Sequence, residues 1–269
     1  SETYINYQKE ITNNHYYDIV IISTNADIRA EVTRKLLSQC KIKYIIFEKI
    51  LFQKENHFKI ISKLLETKNI LAWVNCPRRT YSFYQKIKKT LDKSEEIEMS
   101  VCGSSWNMAS NSIHFIDLFS YLVNNANVKI IKTMFSNNIF KSKKNEKFYE
   151  VNGKIELEIG AYKCKIICEE NKNPFLSVKI KNGQIEHFVN ESKGIYNMYI
   201  NGFMKEKEYI DFPMQSNETG KLIDSLISSN NCELTPYHES WKHHDPLIHS
   251  MKEHISKTLK GNLDKCPIT

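Results

Sequence analysis

Glycine is scarce in this chain. There are eight in 269 residues, and none occurs before Gly103. A G-x-G-x-x-G turn, in which bare backbone closes on a pyrophosphate at a helix N-terminus, is therefore absent from the sequence. The seven cysteines include no C-x-x-C pair, and an odd number does not close into a disulfide framework. Cys164 and Cys168 fall on the same side of one expected strand, too far apart for a bridge. No apolar run approaches the roughly 18 residues of a membrane-spanning helix, and no basic, apolar, small-residue leader opens the sequence. These absences predict reduced thiols, a cytoplasmic location and no membrane partner. Charge is not one-sided, since 38 basic and 31 acidic residues leave a formal +7. The densest basic cluster, Lys141-Ser-Lys-Lys-Asn-Glu-Lys147, has no interleaved aromatic residues. It reads as a solvated hairpin or loop, and no nucleic-acid partner is expected.

What is present is a clear change of rhythm. Hydrophobic residues make up 41% of the chain, enough for one substantial core or two modest ones. Up to about residue 105, apolar runs alternate with helical spacing. Asp18 to Thr24, Tyr44 to Ile50, Ile70 to Cys76 and Ile97 to Cys102 predict strands. Ala26 to Gln39, Gln53 to Lys68 and Tyr81 to Leu91 predict helices between them, which implies a parallel sheet with right-handed crossovers. Asn111 to Val123 predicts an apolar helix. Strands then dominate, at Val128 to Phe135, Phe148 to Ile159, Tyr162 to Cys168, Phe175 to Ile180 and Gln184 to Val189. Asn152-Gly153 and Asn182-Gly183 read as hairpin turns between them. Helices are expected again at Gln215 to Ser229 and at Pro246 to Lys260, the latter with Asp245 as cap and Gly261 just past its end. The fold class is α/β: a parallel sheet over residues 1–105, then an α+β domain over 106–269 with a large, mainly antiparallel sheet.

Four segments resemble one family in order and spacing. These are Ile21-Ile-Ser-Thr-Asn-Ala-Asp-Ile-Arg-Ala-Glu31, Phe47-Glu-Lys-Ile50, Val74-Asn-Cys-Pro-Arg-Arg79 and Ser112-Ile-His-Phe-Ile-Asp-Leu118. Together they are similar to the Gfo/Idh/MocA oxidoreductases, named after glucose–fructose oxidoreductase, inositol dehydrogenase and the rhizopine catabolism protein. The resemblance spans nearly the whole chain. It implies an incomplete Rossmann-type domain followed by a substrate and oligomerisation domain, with NAD or NADP as cofactor. It departs from the family at four places. The opening glycine-rich strand–turn–helix is missing, and Ile50 stands where proline is usual. Arg29 stands where histidine is usual, and Ser110 where many relatives carry aspartate.

The resemblance also implies roles. Lys49, at the carboxyl end of a strand where open α/β sheets hold ligands, is the expected proton-transfer residue. His114, four residues after Ser110 on a helix, is the second catalytic candidate. Ser23, Thr24, Asn25, Glu48, Lys49 and Asn75 are expected at the cofactor; Arg78, Arg79, Ser110 and Asn111 are expected at the substrate. Asp117 is expected to brace the helix rather than to meet substrate. Five histidines at 238, 243, 244, 249 and 254 lack an H-x-x-x-H spacing, and no metal site is expected.

The function implied is NAD(P)-dependent hydride transfer to or from a sugar or nucleotide-sugar carbon. The alternative is a non-catalytic, truncated relative acting as an oligomerisation or partner-binding protein. Residues preceding Ser1 are expected to supply the glycine-rich turn, with Glu2 to Tyr17 as the connecting strand and helix. Leu176, Val178 and Ile180 alternate with polar residues, and this apolar face predicts a homodimer or higher oligomer through the second sheet.

Overall fold

The computed structural model describes residues 6–143, 145–171, 173–213 and 215–269. Three apolar, β-branched runs form the parallel strands β1 (Tyr16–Ile22), β2 (Lys41–Phe47) and β3 (Leu71–Val74). Helices α1 (Ala26–Gln39) and α2 (Glu55–Thr67) make the crossovers. A 3-10 turn, Pro77–Thr80, and α3 (Ser82–Thr90) lead away from β3. Residues 6–15, where a connecting strand and helix were expected, contain only bends and a turn before β1. Residues 1–5 of that expectation lie outside the described residues.

The next strand departs from expectation. β4 (Ile97–Ser104) reads as a fourth member of the parallel sheet, but it lies in the middle of the second one, antiparallel to the strand Phe175–Asn182 and parallel to the strand Tyr162–Glu169. After it come α4 (Met108–Val123), β5 (Val128–Phe135), β6 (Phe140–Lys141), β7 (Tyr149–Glu150), β8 (Gly153–Ile159), β9 (Tyr162–Glu169), β10 (Phe175–Asn182), β11 (Ile185–Asn190), β12 (Ile195–Ile200) and β13 (Phe203–Tyr209). The chain ends with α5 (Gln215–Ser229), β14 (Thr235–Pro236) and α6 (Tyr237–Thr258). The sheet orders are β1-β2-β3-β14 and β13-β12-β11-β10-β4-β9-β8-β5, with β6 and β7 forming a separate pair. Sheet membership thus changes after β3, ahead of residue 105. The basic cluster lies between the paired strands β6 and β7, except that Lys144 is outside the described residues.

Three local expectations need correction. Asn182-Gly183 does turn β10 into β11, but Asn152-Gly153 joins no hairpin. β7 and β8 are not partners, and Gly153, at φ +136°, passes close to β5. A Cβ there would lie 2.3 Å from the Met134 carbonyl, so only glycine fits. Pro246 does not open its helix. α6 begins at Tyr237, because Tyr237, Ser240, His243 and His244 are all buried there, and Pro246 sits in its interior. Here burial outweighs the cost of an interior proline. The Phe175 to Val189 ribbon does alternate, but its apolar face is already used: Val178, Ile180 and Val189 are fully buried inside the chain. The open face instead carries rows of charge, with Lys179–Glu186 and Lys154–Glu156 ion pairs.

Helix α4 is the spine. Thirteen of its sixteen residues are buried, and it packs on β4, β9, α6 and the 3-10 turn. Its one buried carboxylate, Asp117, receives both Arg79 Nε and Nη2 at 3.0 Å. The Thr235 hydroxyl also donates to Asp117, and His243 Nδ1 lies 3.4 Å away. Burial alone would raise the Asp117 pKa, but Arg79, His243 and Thr235 outweigh it and hold the group below the ordinary carboxylate value. This cluster ties the 3-10 turn, α4, β14 and α6 together. Asp117→Ala leaves a buried guanidinium uncompensated and is expected to cost about 3–5 kcal/mol, read as a lowered urea midpoint at unchanged slope.

Candidate functional site

The site starts where β1 and β2 run out. One side chain on α1 organises both exits. The guanidinium of Arg29, only 2% exposed, donates to the Thr24 carbonyl after β1. It also donates to Glu48 O at 2.7 Å, to Ile50 O and to Leu51 O at 3.3 Å after β2. Burial pulls its pKa down to about 10, with Glu48 and Asp27 opposing, so the group keeps its charge at neutral pH. The Lys49–Ile50 peptide between these carbonyls is cis. Beyond it the chain is held by its last residues. Gln53 O accepts from Cys266 N, Gln53 Nε2 donates to Ile268 O, and Ala26 N donates to the Thr269 hydroxyl.

With the exits fixed, Glu48 and Lys49 point to different partners. Glu48 Oε1 accepts from Asn75 Nδ2 at 2.7 Å, which joins β2 to the end of β3. Lys49 Nζ reaches across to α4, donating to Ser110 O at 3.0 Å and Asn111 Oδ1 at 2.9 Å. Asn111 is oriented in turn by donating to Trp106 O at 2.8 Å. His114 follows one turn later. Burial, then the charges of Arg78, Lys49 and His244, push its pKa well below 6.5. Its Nδ1 has no hydrogen-bond partner among the described residues. The ring is thus neutral near pH 7 and able to give or take one hydrogen bond.

The expected residues divide into three groups. Glu48, Lys49, Asn75, Ser110, Asn111 and His114 come together where the parallel strands meet the first turns of α4. Ser23, Thr24 and Asn25 lie at the neighbouring β1 exit, and the Thr24 hydroxyl is buried without a partner among the described residues. The two arginines expected at substrate are already engaged. Arg79 is buried on Asp117, as above. Arg78 forms a bidentate pair with Glu191, at 2.9 and 2.6 Å, and stacks over Phe115 at 4.2 Å. Two members of the site carried no functional expectation. One is Arg29, noted only as a departure. The other is Glu150 on β7, which accepts the Ser110 hydroxyl proton and the Ser110 amide at 3.3 Å. Its only sequence signal is a carboxylate inside the apolar run Phe148 to Val151.

The strand exits present polar groups that could hold part of a cofactor. The partnerless Thr24 hydroxyl and the Glu48–Asn75 pair line the strand exits. No glycine-rich turn is found among the described residues, and β1 is the outermost strand of its sheet.

No protein-family model matches the sequence, and no curated protein sequence matches it significantly. Solved structures do. A dehydrogenase from Clostridium difficile is 15% identical with a TM-score of 0.67, over 88% of this chain and 79% of that one. The UDP-N-acetylglucosamine 3-dehydrogenase of Acidithiobacillus ferrooxidans is 9% identical with a TM-score of 0.64, over 86% and 76%. A 3-ketoreductase from Actinomadura kijaniata, solved with NADP, is 11% identical with a TM-score of 0.64, over 87% and 76%. The chain shares the fold of these dehydrogenases and reductases, as the resemblance in the sequence motifs led one to expect.

Two buried imidazoles, with the half-buried His114, give the molecule an acid-sensitive interior. Burial, with the Lys86 charge, brings His187 to about 4; burial foremost brings His244 to about 3. His114 lies in the same direction. In the unfolded chain each ring protonates near 6.5, whereas the folded chain keeps it neutral. Below pH 6.5 the unfolded state therefore binds more protons, and stability falls by about 1.4 kcal/mol per ring per pH unit. Denaturation between pH 7 and 5 is expected to show this decline, with the His187 and His244 ring signals remaining mainly those of neutral imidazole at pH 5.

Proposed function

We propose that this chain, with its Gfo/Idh/MocA-type fold, is an NAD(P)-dependent oxidoreductase that moves a hydride to or from a carbinol carbon of a sugar or nucleotide-linked sugar. The observation that supports it most directly is the placement of Lys49 and His114. They stand on two different elements, at the exits of parallel strands, where ligands bind in open α/β sheets. The named neighbours also support the reading, since they include a nucleotide-sugar dehydrogenase and an NADP-bound ketoreductase.

In this reading the bound nicotinamide supplies or accepts the hydride. Thr24, Asn25, Glu48 and Asn75 would hold that end of the cofactor, with Ser23 at its edge. The reacting sugar oxygen must lose or gain a proton as the hydride moves, and Lys49 performs that transfer. Ser110 O and Asn111 Oδ1 fix the lysine amine, so it meets the oxygen without first having to be ordered. His114, neutral, donates or accepts one hydrogen bond at the same oxygen or its neighbour. The Arg78–Glu191 pair forms a preset polar wall beside it. A phosphate or carboxylate on the substrate would have to compete with Glu191 for that guanidinium.

A non-catalytic role as an oligomerisation or partner-binding chain is the second reading. Its supporting observation is the unpaired outer edge of β1 combined with the absence of a pyrophosphate turn among the described residues. In either role, self-association is proposed at the β13 end of the large sheet. There Phe203, Met204 and Tyr209 are 71%, 57% and 81% exposed, a surface that favours burial against another chain. Light scattering at micromolar concentration is expected to give at least a dimer; a monomer mass would remove this part of the proposal.

Fluorescence titration separates the two roles. Binding of NADH or NADPH, seen as quenching or energy transfer from the protein's tryptophans, is expected for the enzyme; a flat titration at saturating cofactor rejects it. Once a substrate turns over, Lys49→Met is expected to lower kcat by about 10² to 10⁴ while cofactor affinity stays within a few-fold, because the lost interaction belongs to the transition state. A loss below about tenfold would assign Lys49 a structural role.

A further inference from the structure

The acceptors of Lys49 are themselves held by a group that the proposed chemistry has not used. Ser110 O and Asn111 Oδ1 belong to the first turn of α4, a helix start that lacks an ordinary cap. Its N-cap residue, Asn107, is left-handed and makes no side-chain capping bond. The amides of that turn are capped from another element. The Glu150 carboxylate, 3% exposed, accepts from the Ser110 hydroxyl through one oxygen and from the Ser110 amide through the other. An anion placed on the first amides of a helix is stabilised by the helix dipole as well as by the hydrogen bonds.

Glu150 does not owe this position to local propensity. β7 is two residues long, and it is fixed by pairing with β6 and by the Tyr149 amide donating to the Pro267 carbonyl at 2.8 Å. The arrangement brings a carboxylate from 40 residues away onto Ser110, the residue that stands where many relatives carry aspartate.

We propose that Glu150 is a positioning residue for Lys49, supplying from β7 the negative charge that Ser110 does not carry and fixing the helix turn whose carbonyl and amide oxygens bind the lysine amine. This role in catalysis rests on the function proposed above; the electrostatic link itself does not. Two physical consequences follow. The carboxylate favours the ammonium form of Lys49, as any opposite charge at short range does. It also holds Ser110 O and Asn111 Oδ1 in place, so that the lysine points into the site rather than into solvent. The charges and titratable groups facing this pair are Glu48 beside Lys49, His114 from α4, Cys76 after β3 and Cys168 from β9. Burial raises the pKa of Glu150, while the Ser110 hydroxyl and amide, Lys49 and the Ala109 amide favour its charged form.

The test needs neither substrate nor cofactor. The protein is labelled with ¹⁵N-lysine, the Lys49 Nζ signal is identified by its loss in Lys49→Arg, and its titration is followed by NMR. In Glu150→Gln, which keeps an acceptor for Ser110 but removes the charge, the Lys49 midpoint is expected to fall by about one pH unit. Glu150→Asp is expected to restore at least half of that change. A folded Glu150→Gln whose Lys49 titrates as in the wild type overturns the proposal and leaves Glu150 a helix cap. If Glu150→Gln does not fold, the wild type decides. The Lys49 Nζ shift must then show an inflection at the pH where the Glu150 carboxyl signal titrates, and its absence overturns the proposal. A failure to find any turnover would count against the proposed function while leaving this measurement intact.

Discussion

The buried guanidinium of Arg29 is the constraint on which the site depends. Carbonyls at the ends of parallel strands point along the sheet with no ladder partner, and buried ones need a donor. Here a single cation supplies it for Thr24, Glu48, Ile50 and Leu51. Burying a guanidinium is costly unless its hydrogen bonds are made, and four carbonyl dipoles supply most of that compensation. The consequence is geometric. With the backbone on both sides of Lys49 pinned, the lysine side chain has a fixed origin. Glu48 is fixed with it, because its carbonyl belongs to the same knot and its carboxylate is held by Asn75.

The second anchor lies further along α4. Asp117 gathers Arg79, Thr235 and His243, so the helix is tied to the 3-10 turn after β3, to β14 and to α6. Its first turn faces Lys49, and its later residues lie against the large sheet through β4 and β9. A helix packed on the large sheet, α6 and the 3-10 turn gives the lysine amine and the His114 ring a common frame. This explains why Arg79 is absent from the cleft. Its bidentate bond to a fully buried carboxylate does mechanical work, and the Nε–Nη2 edge so used is not offered to a substrate.

Much of this was legible in the sequence, and what was not has identifiable causes. Lys49, Asn75 and His114 were named as candidates because each sits in a short motif, and the structure brings them together with Asn111. The parallel β1–β2–β3 unit and the helices α1 and α5 were found because their apolar spacing is regular. β4 was assigned to the wrong sheet because a buried apolar strand reads alike in either setting. β12 and β13 carry mixed polar and aromatic residues, such as Asn197 and Lys205, which blur alternation. α6 was begun too late because Asp245-Pro246 is a strong local start signal, and only burial of Tyr237 to His244 against the core overrides it. Glu150 and the carbonyl partners of Arg29 could not be read, since the former meets Ser110 from 40 residues away and the latter are backbone atoms.

The departures from the family pattern then cease to be independent. Arg29 in place of histidine brings a long, forked donor to the very carbonyls that flank Lys49 and Ile50. Ser110 in place of aspartate removes a carboxylate from α4, and a carboxylate on β7 is hydrogen-bonded to that same serine. Both differences therefore concern how Lys49 is held, one through the backbone around it and the other through the helix turn that accepts its protons. The carbonyls that accept from Arg29, the Ser110 hydroxyl and the lysine amine all have partners, whereas the Thr24 hydroxyl, Arg29 Nε and His114 Nδ1 have none among the described residues. The contacts around Lys49 thus come from residues other than those of the family pattern, and the proposed use of its amine would need such contacts.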